Sequence, residues 1–197
     1  MTNETKWSVD QAHSEIAFKV RHLMISNVKG EFKIFDASIY TTGKDFTTAE
    51  IDLWIDVSSI DTGDEKRNEH LKSADFFDAE KFKQIAFKSS TMSKATSGDN
   101  YELWGELTIK GVTKDQKLNV QFGGIVKDPY GNEKAGFTIT GILNRSDWGL
   151  NSNTMMEAGG MVIGDAITIS CELELTNAGP KELVMELEPT AARKGGL

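Results

Sequence analysis

The feature that most constrains this 197-residue chain is a period-two alternation of apolar and polar side chains along most of its length. Ile51, Leu53, Ile55 and Val57 alternate with Asp52, Trp54 and Asp56. Leu103, Leu107 and Ile109 share a face with Gly105, opposite Glu102, Glu106 and Thr108. Leu118, Val120 and Phe122 alternate with Asn119 and Gln121, and Phe137, Ile139 and Leu143 with Thr138, Thr140 and Asn144. Ile167, Ile169, Cys171, Leu173 and Leu175 alternate with Thr168, Ser170, Glu172 and Glu174. Ile16, Phe18 and Val20 alternate with Glu15, Ala17, Lys19 and Arg21. A period of two sends successive side chains to opposite faces of an extended strand, so each segment has one dry and one wet face. That is the antiparallel pattern, since strands of a parallel sheet are buried on both faces. Residues 30–40 and 82–92 also read as strands, but Phe32, Ile34 and Phe35 break the alternation and predict a bulge or two-sided burial. The expected fold is therefore all-β: eight strands joined by glycine turns such as Tyr130-Gly131-Asn132. Eight one-sided strands can close into a barrel, which removes exposed edges.

Two stretches depart from this pattern. Thr62 stands three before Glu65, as in a capping box, and Arg67, His70 and Leu71 follow at helical spacing. This predicts a short helical insert over residues 64–73, leading into Ala74-Asp75-Phe76-Phe77 and lying over one end or side of the barrel. Residues 146–160, with Trp148, Leu150, Met155, Met156 and Gly159-Gly160, predict a helical turn and a mobile loop. The alternation stops at Thr176, where Asn177-Ala178-Gly179-Pro180 is a breaker cluster. The expected organisation is one barrel domain over residues 6–176 and a tail over 177–197, partly helical through Leu183, Val184 and Leu187 or disordered.

Composition narrows the function. Hydrophobic residues make up 39% and charged residues 26%, enough apolar material for a packed core. No apolar run approaches the roughly 20 residues of a membrane helix. A net charge of −8 without a Lys/Arg-rich run argues against nucleic acid as a partner. The single cysteine excludes an intrachain disulfide framework, and with three histidines in no HxH or HExxH spacing, no metal is expected. There is no nucleophile elbow, phosphate loop or dinucleotide fingerprint, so catalysis is not expected. The opening MTNETKW lacks a charged-then-apolar leader, which predicts a cytoplasmic protein, or a periplasmic one if a leader precedes these residues.

Four blocks of residues, in order, point to a family. The first is Trp7-Ser8-Val9-Asp10, His13-Ser14, Phe18-x-Val20-x-His22 and Gly30-x-Phe32. The second is Asp61-Thr62-Gly63 leading to Arg67-Asn68-x-His70-Leu71-Lys72-Ser73-x-x-Phe76-Phe77-Asp78. The third is Gly105-x-Leu107-Thr108-Ile109-x-Gly111-Val112-Thr113-Lys114. The fourth is Asn144-Arg145-Ser146-Asp147-Trp148-Gly149-Leu150, followed by Val162-x-Gly164-Asp165. Together they make residues 7–175 resemble the YceI-like polyisoprenoid-binding family. The resemblance implies an eight-stranded antiparallel lipocalin-like barrel whose apolar cavity holds a long isoprenoid lipid or a related amphiphile. Many members are periplasmic.

The dry faces then become the expected cavity wall: Ile16, Phe18, Val20, Leu53, Ile55, Phe76, Phe77, Phe87, Leu103, Leu107, Phe122, Phe137, Ile139, Leu143, Ile167 and Ile169. Buried methylenes of a ligand tail supply affinity, about 0.8 kcal/mol each before costs, while polar groups at the mouth select the head group. Head-group candidates are Arg67, His70 and Lys72 on the helix and His22 at a strand end. Against these roles stand plainer ones: Arg67 pairing with Asp64 or Asp75, and His70 and His22 packing at the rim. Arg145 is expected to form a local salt bridge beside Asp147, and Cys171 to be a small core residue. No cofactor is expected beyond the bound isoprenoid or quinone, and a homodimer stays open. The expected function is sequestration, storage or transport of a prenyl quinone or prenyl phosphate. The rivals are a fatty-acyl or amide carrier, an enzyme acting on a bound isoprenoid, and a filled barrel serving as an interaction module.

Overall fold

In a computed structural model describing residues 4–95, 100–152 and 162–180, the alternating segments become strands of one antiparallel sheet. In chain order these are β1 (Glu4–Val9), β2 (Glu15–His22), β3 (Ser26–Phe32), β4 (Phe35–Thr42), β5 (Asp45–Asp56) and β6 (Ile60–Asp61). One helix follows, α1 (Glu65–Lys72), and then β7 (Gln84–Lys94), β8 (Asn100–Ile109), β9 (Val112–Lys127), β10 (Glu133–Asn144) and β11 (Ile163–Pro180). The order β1-β4-β5-β7-β8-β9-β10-β11 returns to β1 and closes an eight-stranded barrel. β2, β3 and β6 continue the sheet from the first half of β11.

Two of these extra strands, β2 and β3, have a single cause. β1 and β2 both run along β11, and their partners β4 and β3 lie along them in turn. The four are one long hairpin with a bend in each arm. In the first arm the bend is a 3-10 turn at Gln11–His13, with Asp10 accepting from the Ala12 N–H at 3.1 Å. It is tied to β11 by the Asp10 N–H to the Glu174 carbonyl at 2.8 Å and the Glu174 N–H to Ser14 Oγ at 3.0 Å. In the second arm the bend is Lys33-Ile34, where the alternation breaks. The N–H groups of both leave the ladder for Ser59, reaching its carbonyl at 3.1 Å and its Oγ at 3.0 Å.

β1 was not among the expected strands, although Trp7 is fully buried, with Nε1 donating to Thr41 Oγ1 at 2.9 Å. β11 also passes the expected stop at Thr176, because Asn177 and Pro180 pair with Trp7 and Thr5 of β1. The predicted mobile loop beyond Ser152, with Met155, Met156 and Gly159-Gly160, and the tail 181–197 lie outside the described residues.

The helix begins two residues later than the capping-box pattern suggests. Its cap is Asp64, whose carboxylate accepts from the Arg67 N–H at 3.0 Å. Thr62 instead donates its hydroxyl to Asn68 Oδ1 at 2.7 Å and receives Arg67 Nε at 2.8 Å.

Antiparallel pairing places the connections at alternate ends. The β4–β5, β7–β8 and β9–β10 turns share one end, where Trp7, Phe46, Phe122 and Phe137 meet ring to ring at centroid distances of 4.8–5.5 Å. The β2–β3 turn, the β8–β9 turn and α1 share the opposite end. The β2–β3 turn is costly: Leu23 and Met24 both take left-handed backbone, φ 50° and 61°, with the Ile25 N–H on the His22 carbonyl at 3.2 Å. Such a turn suits Asn-Gly, and each L residue there costs about 1–2 kcal/mol.

Candidate functional site

The dry faces of the barrel do not meet. They enclose a cavity of about 620 Å³, within the 300–1,000 Å³ typical of small-molecule sites. Of the expected wall residues, β2 supplies Ile16, Phe18 and Val20, β5 Leu53 and Ile55, and β7 Phe87. β8 supplies Leu103 and Leu107, β10 Phe137, Ile139 and Leu143, and β11 Ile167 and Ile169. Phe76 and Phe77 reach in from the segment after α1. Phe122 is the exception: it sits beside Phe137 in the ring cluster at the closed end, stacked on that ring at 5.1 Å and edge-on to Tyr101 at 6.4 Å. Phe32, Phe35, Ile39 and Phe46 also line the cavity, and the sequence reading missed them. The alternation Phe35-x-Ala37-x-Ile39 was the available signal, masked by the neighbouring bend.

Two glycines let rings lie against the sheet. A β-carbon at Gly30 would fall 2.4 Å from Cζ of Phe18, and one at Gly105 would fall 2.4 Å from Cζ of Phe87. Both positions must lack a side chain for those rings to keep their places.

The polar lining gathers mainly at the α1 end. Asp64, Lys66 and His70 are exposed there, and Arg67 and His22 are half-buried. These residues mark the mouth, opposite the aromatic plug. Among the described residues the Arg67 guanidinium is held by Thr62, through Nε to the hydroxyl at 2.8 Å and Nη2 to the carbonyl at 2.9 Å. It pairs with neither Asp64 nor Asp75, and among the described residues it has no ion pair. His70 lies 3.7 Å from Asp75 and packs edge-on against Phe76 at 5.1 Å. Lys72 is not part of the lining: its ammonium turns back to Glu69 at 2.7 Å, which raises its pKa and lowers that of Glu69. The head-group candidates at the cavity are therefore His22, Arg67 and His70, without Lys72.

Arg145 was missed as a site-forming residue. It is buried, lines the cavity, and makes no salt bridge with Asp147. Its guanidinium donates to the carbonyls of Gly164 at 3.0 Å, Ser152 at 3.2 Å, Ile163 at 3.4 Å and Leu150. Burial lowers its pKa, yet carbonyl dipoles stand in for water. The arginine fastens the chain after β10 to the start of β11. Gln116, also buried in the wall, spends its amide on the carbonyls of Lys117 and Ile142. Cys171 is buried and its thiol is pushed up to about 12, so it is a wall residue without nucleophilic character.

Asp10, His13 and Glu174 are spaced closely enough to hold a cation. Lys134 already fills that role: its ammonium lies 2.5 Å from Asp10 and 3.2 Å from Glu174, and it holds the Asp10 carboxyl down to about 2. This cluster braces the bend between β1 and β2 and is separate from the cavity.

Residues 7–175 match the family described as the YceI-like domain. A UPF0312 protein of Staphylococcus aureus strain MSSA476 is 36% identical over 173 residues, covering 87% of this chain and 98% of that protein. The crystal structure of a Campylobacter jejuni YceI protein superposes with a TM-score of 0.67 at 34% identity, over 88% of this chain and 96% of that one. A polyisoprenoid binding domain from Saccharophagus degradans, implicated in plant cell wall breakdown, shares the fold at 18% identity and a TM-score of 0.59, over 87% of this chain and 98% of that one. With the closed barrel, its apolar interior and the match over nearly all the described residues, the chain belongs to the YceI-like family.

Proposed function

We propose that this protein binds a long-chain isoprenoid amphiphile, tail in the barrel and head group at the α1 mouth, and sequesters, stores or transports it unchanged. The observation that carries this reading is the cavity itself: about 620 Å³ walled by aliphatic and aromatic side chains, with accessible polar groups concentrated at one end. Membership of the YceI-like family and the polyisoprenoid binding named for the Saccharophagus degradans relative support the isoprenoid class. A branched tail gains about 0.8 kcal/mol per buried methylene, and the Phe18 and Phe87 rings offer it broad rigid surface. At the mouth, Arg67 is preset by Thr62 and has no carboxylate partner among the described residues, which suits an oxygen-bearing head of the prenyl phosphate or prenyl quinone type.

Native purification, solvent extraction and mass spectrometry test this directly. A stoichiometric prenyl compound is the expected result. A fatty acid or acyl amide would reassign the ligand class, and recovery of a chemically altered prenyl probe would indicate turnover. Ile169→Trp, which fills the interior with an apolar ring, should leave a folded barrel that takes up less probe. Undiminished uptake by a folded variant would place binding outside the cavity.

A further inference from the structure

The β2–β3 turn exposes three consecutive large apolar side chains. Leu23, Met24 and Ile25 are 38%, 57% and 80% exposed. They occupy a turn that Leu and Met fit poorly, with both central residues in left-handed backbone. Topology puts this tip at the open end of the barrel. His22, the last residue before it, lines the cavity and pairs with Ile163, another lining residue. Behind the tip, the outer face of β2 and β3 carries Lys19, Arg21 and Lys29, all exposed and without an ion pair among the described residues. Lys19 and Lys29 stand directly opposite each other across the ladder. Like charges so placed repel, and a negative surface would relieve them. On a chain of net charge −8, this is a local cationic collar below an apolar tip.

We propose that the β2–β3 turn is a membrane-docking wedge: Leu23, Met24 and Ile25 enter the headgroup–acyl boundary of a bilayer while Lys19, Arg21 and Lys29 meet its anionic phosphates. Docking in this pose turns the cavity mouth toward the lipid. An isoprenoid tail could then pass between bilayer and barrel without crossing bulk water. The proposal rests on the lipid-carrier reading for its purpose, but bilayer attachment is measured separately from cargo uptake.

The test is co-sedimentation of the full chain with phosphatidylcholine vesicles and with vesicles also containing phosphatidylglycerol. The protein should pellet with the anionic vesicles, and salt should release it. The double variant Leu23→Asn, Met24→Gly supplies the residues this turn prefers. It should unfold at a higher temperature than the parent yet lose about tenfold or more in vesicle affinity. Ile25→Asp should lose affinity similarly, and Lys19→Glu should weaken it about fivefold or more on anionic vesicles only. A fluorescent prenyl probe presented in solution should enter the turn variants as it enters the parent. Absent probe uptake with intact docking would remove the isoprenoid reading and leave the wedge standing. Parent protein that ignores anionic vesicles, or turn variants that bind them undiminished, would overturn the wedge. A parent that is dimeric by light scattering, becomes monomeric in the turn variants, and ignores vesicles would also overturn it, making the tip a self-interface.

Discussion

Phe87 lies across Gly105 so closely that a β-carbon on the glycine would sit 2.4 Å from the ring and 2.5 Å from the Lys88 carbonyl oxygen. The backbone at Gly105 is not left-handed, so contact alone excludes a side chain there. Gly105→Ala must push the Phe87 ring or part β7 from β8, costing about 1–3 kcal/mol by the scale of overpacked cores. A ring displaced into the cavity also narrows it. The denaturation midpoint should fall and prenyl-probe uptake should weaken with it. An alanine variant as stable and as receptive as the parent would show that the ring is not held by this contact.

Arg145 holds four carbonyls in the wall of the barrel, and replacing it removes all of those donors together. Arg145→Met keeps the apolar stem but strands buried acceptors, which should cost at least about 2 kcal/mol in urea unfolding. Arg145→Lys should recover little of this, since an ammonium is a compact charge without the planar fork. Equal stability in parent and methionine variant would mean that water replaces the guanidinium freely.

The Asp10–Lys134 contact predicts an acid-dependent loss of stability. The Asp10 carboxyl is lowered from 3.8 to about 2, chiefly by the Lys134 hydrogen bond, so the folded state binds its proton less readily than the unfolded chain. Its contribution is complete above the unfolded value of 3.8 and fades as pH falls toward about 2. Discounted for partial exposure, the lowered Asp10 carboxyl contributes about 1 kcal/mol near neutral pH. Asp10→Asn should be less stable by that amount at neutral pH, and the gap should narrow below pH 3.8 and close as pH falls through about 2, as read from urea midpoints across the range. A gap independent of pH would assign the loss to the local turn rather than to charge.

Arg67 is the mouth residue whose removal should separate head group from tail. Arg67→Ala should weaken binding of a prenyl phosphate about tenfold or more, from loss of a charge-assisted hydrogen bond. Binding of a prenyl hydrocarbon without a polar head should change little. Equal losses for both ligands would instead indicate that the alanine loosens α1, which circular dichroism melting would register.

Much of the barrel was legible because burial on one side of a strand writes itself as alternation. Leu103 and Leu107, or Ile167 and Ile169, were readable as wall residues for that reason. Trp7 and the strand around it were not, since the alternation there is a single pair, Trp7-x-Val9, preceded by the polar Glu4-Thr5-Lys6. Its burial comes from β4 and β11, which lie far away in sequence. Phe122 shared the dry pattern and still stands outside the lining, because it pairs with Phe137 across the ladder and is taken up by the ring cluster at the closed end. Lys72 and Arg67 are five residues apart in one helical segment, yet only Arg67 lines the cavity, while Glu69 captures the lysine.

By itself the sequence determined most of the strand segments, the helical insert and the family, all of which rest on local periodicity and on residue blocks that survive in linear order. Tertiary structure decided which end of the barrel is plugged and which is open. It also decided that Arg145 binds carbonyls rather than Asp147, and that an apolar turn stands beside the mouth. These depend on where separate strands end relative to one another, and register between distant strands is set by closure of the barrel rather than by any single stretch of chain.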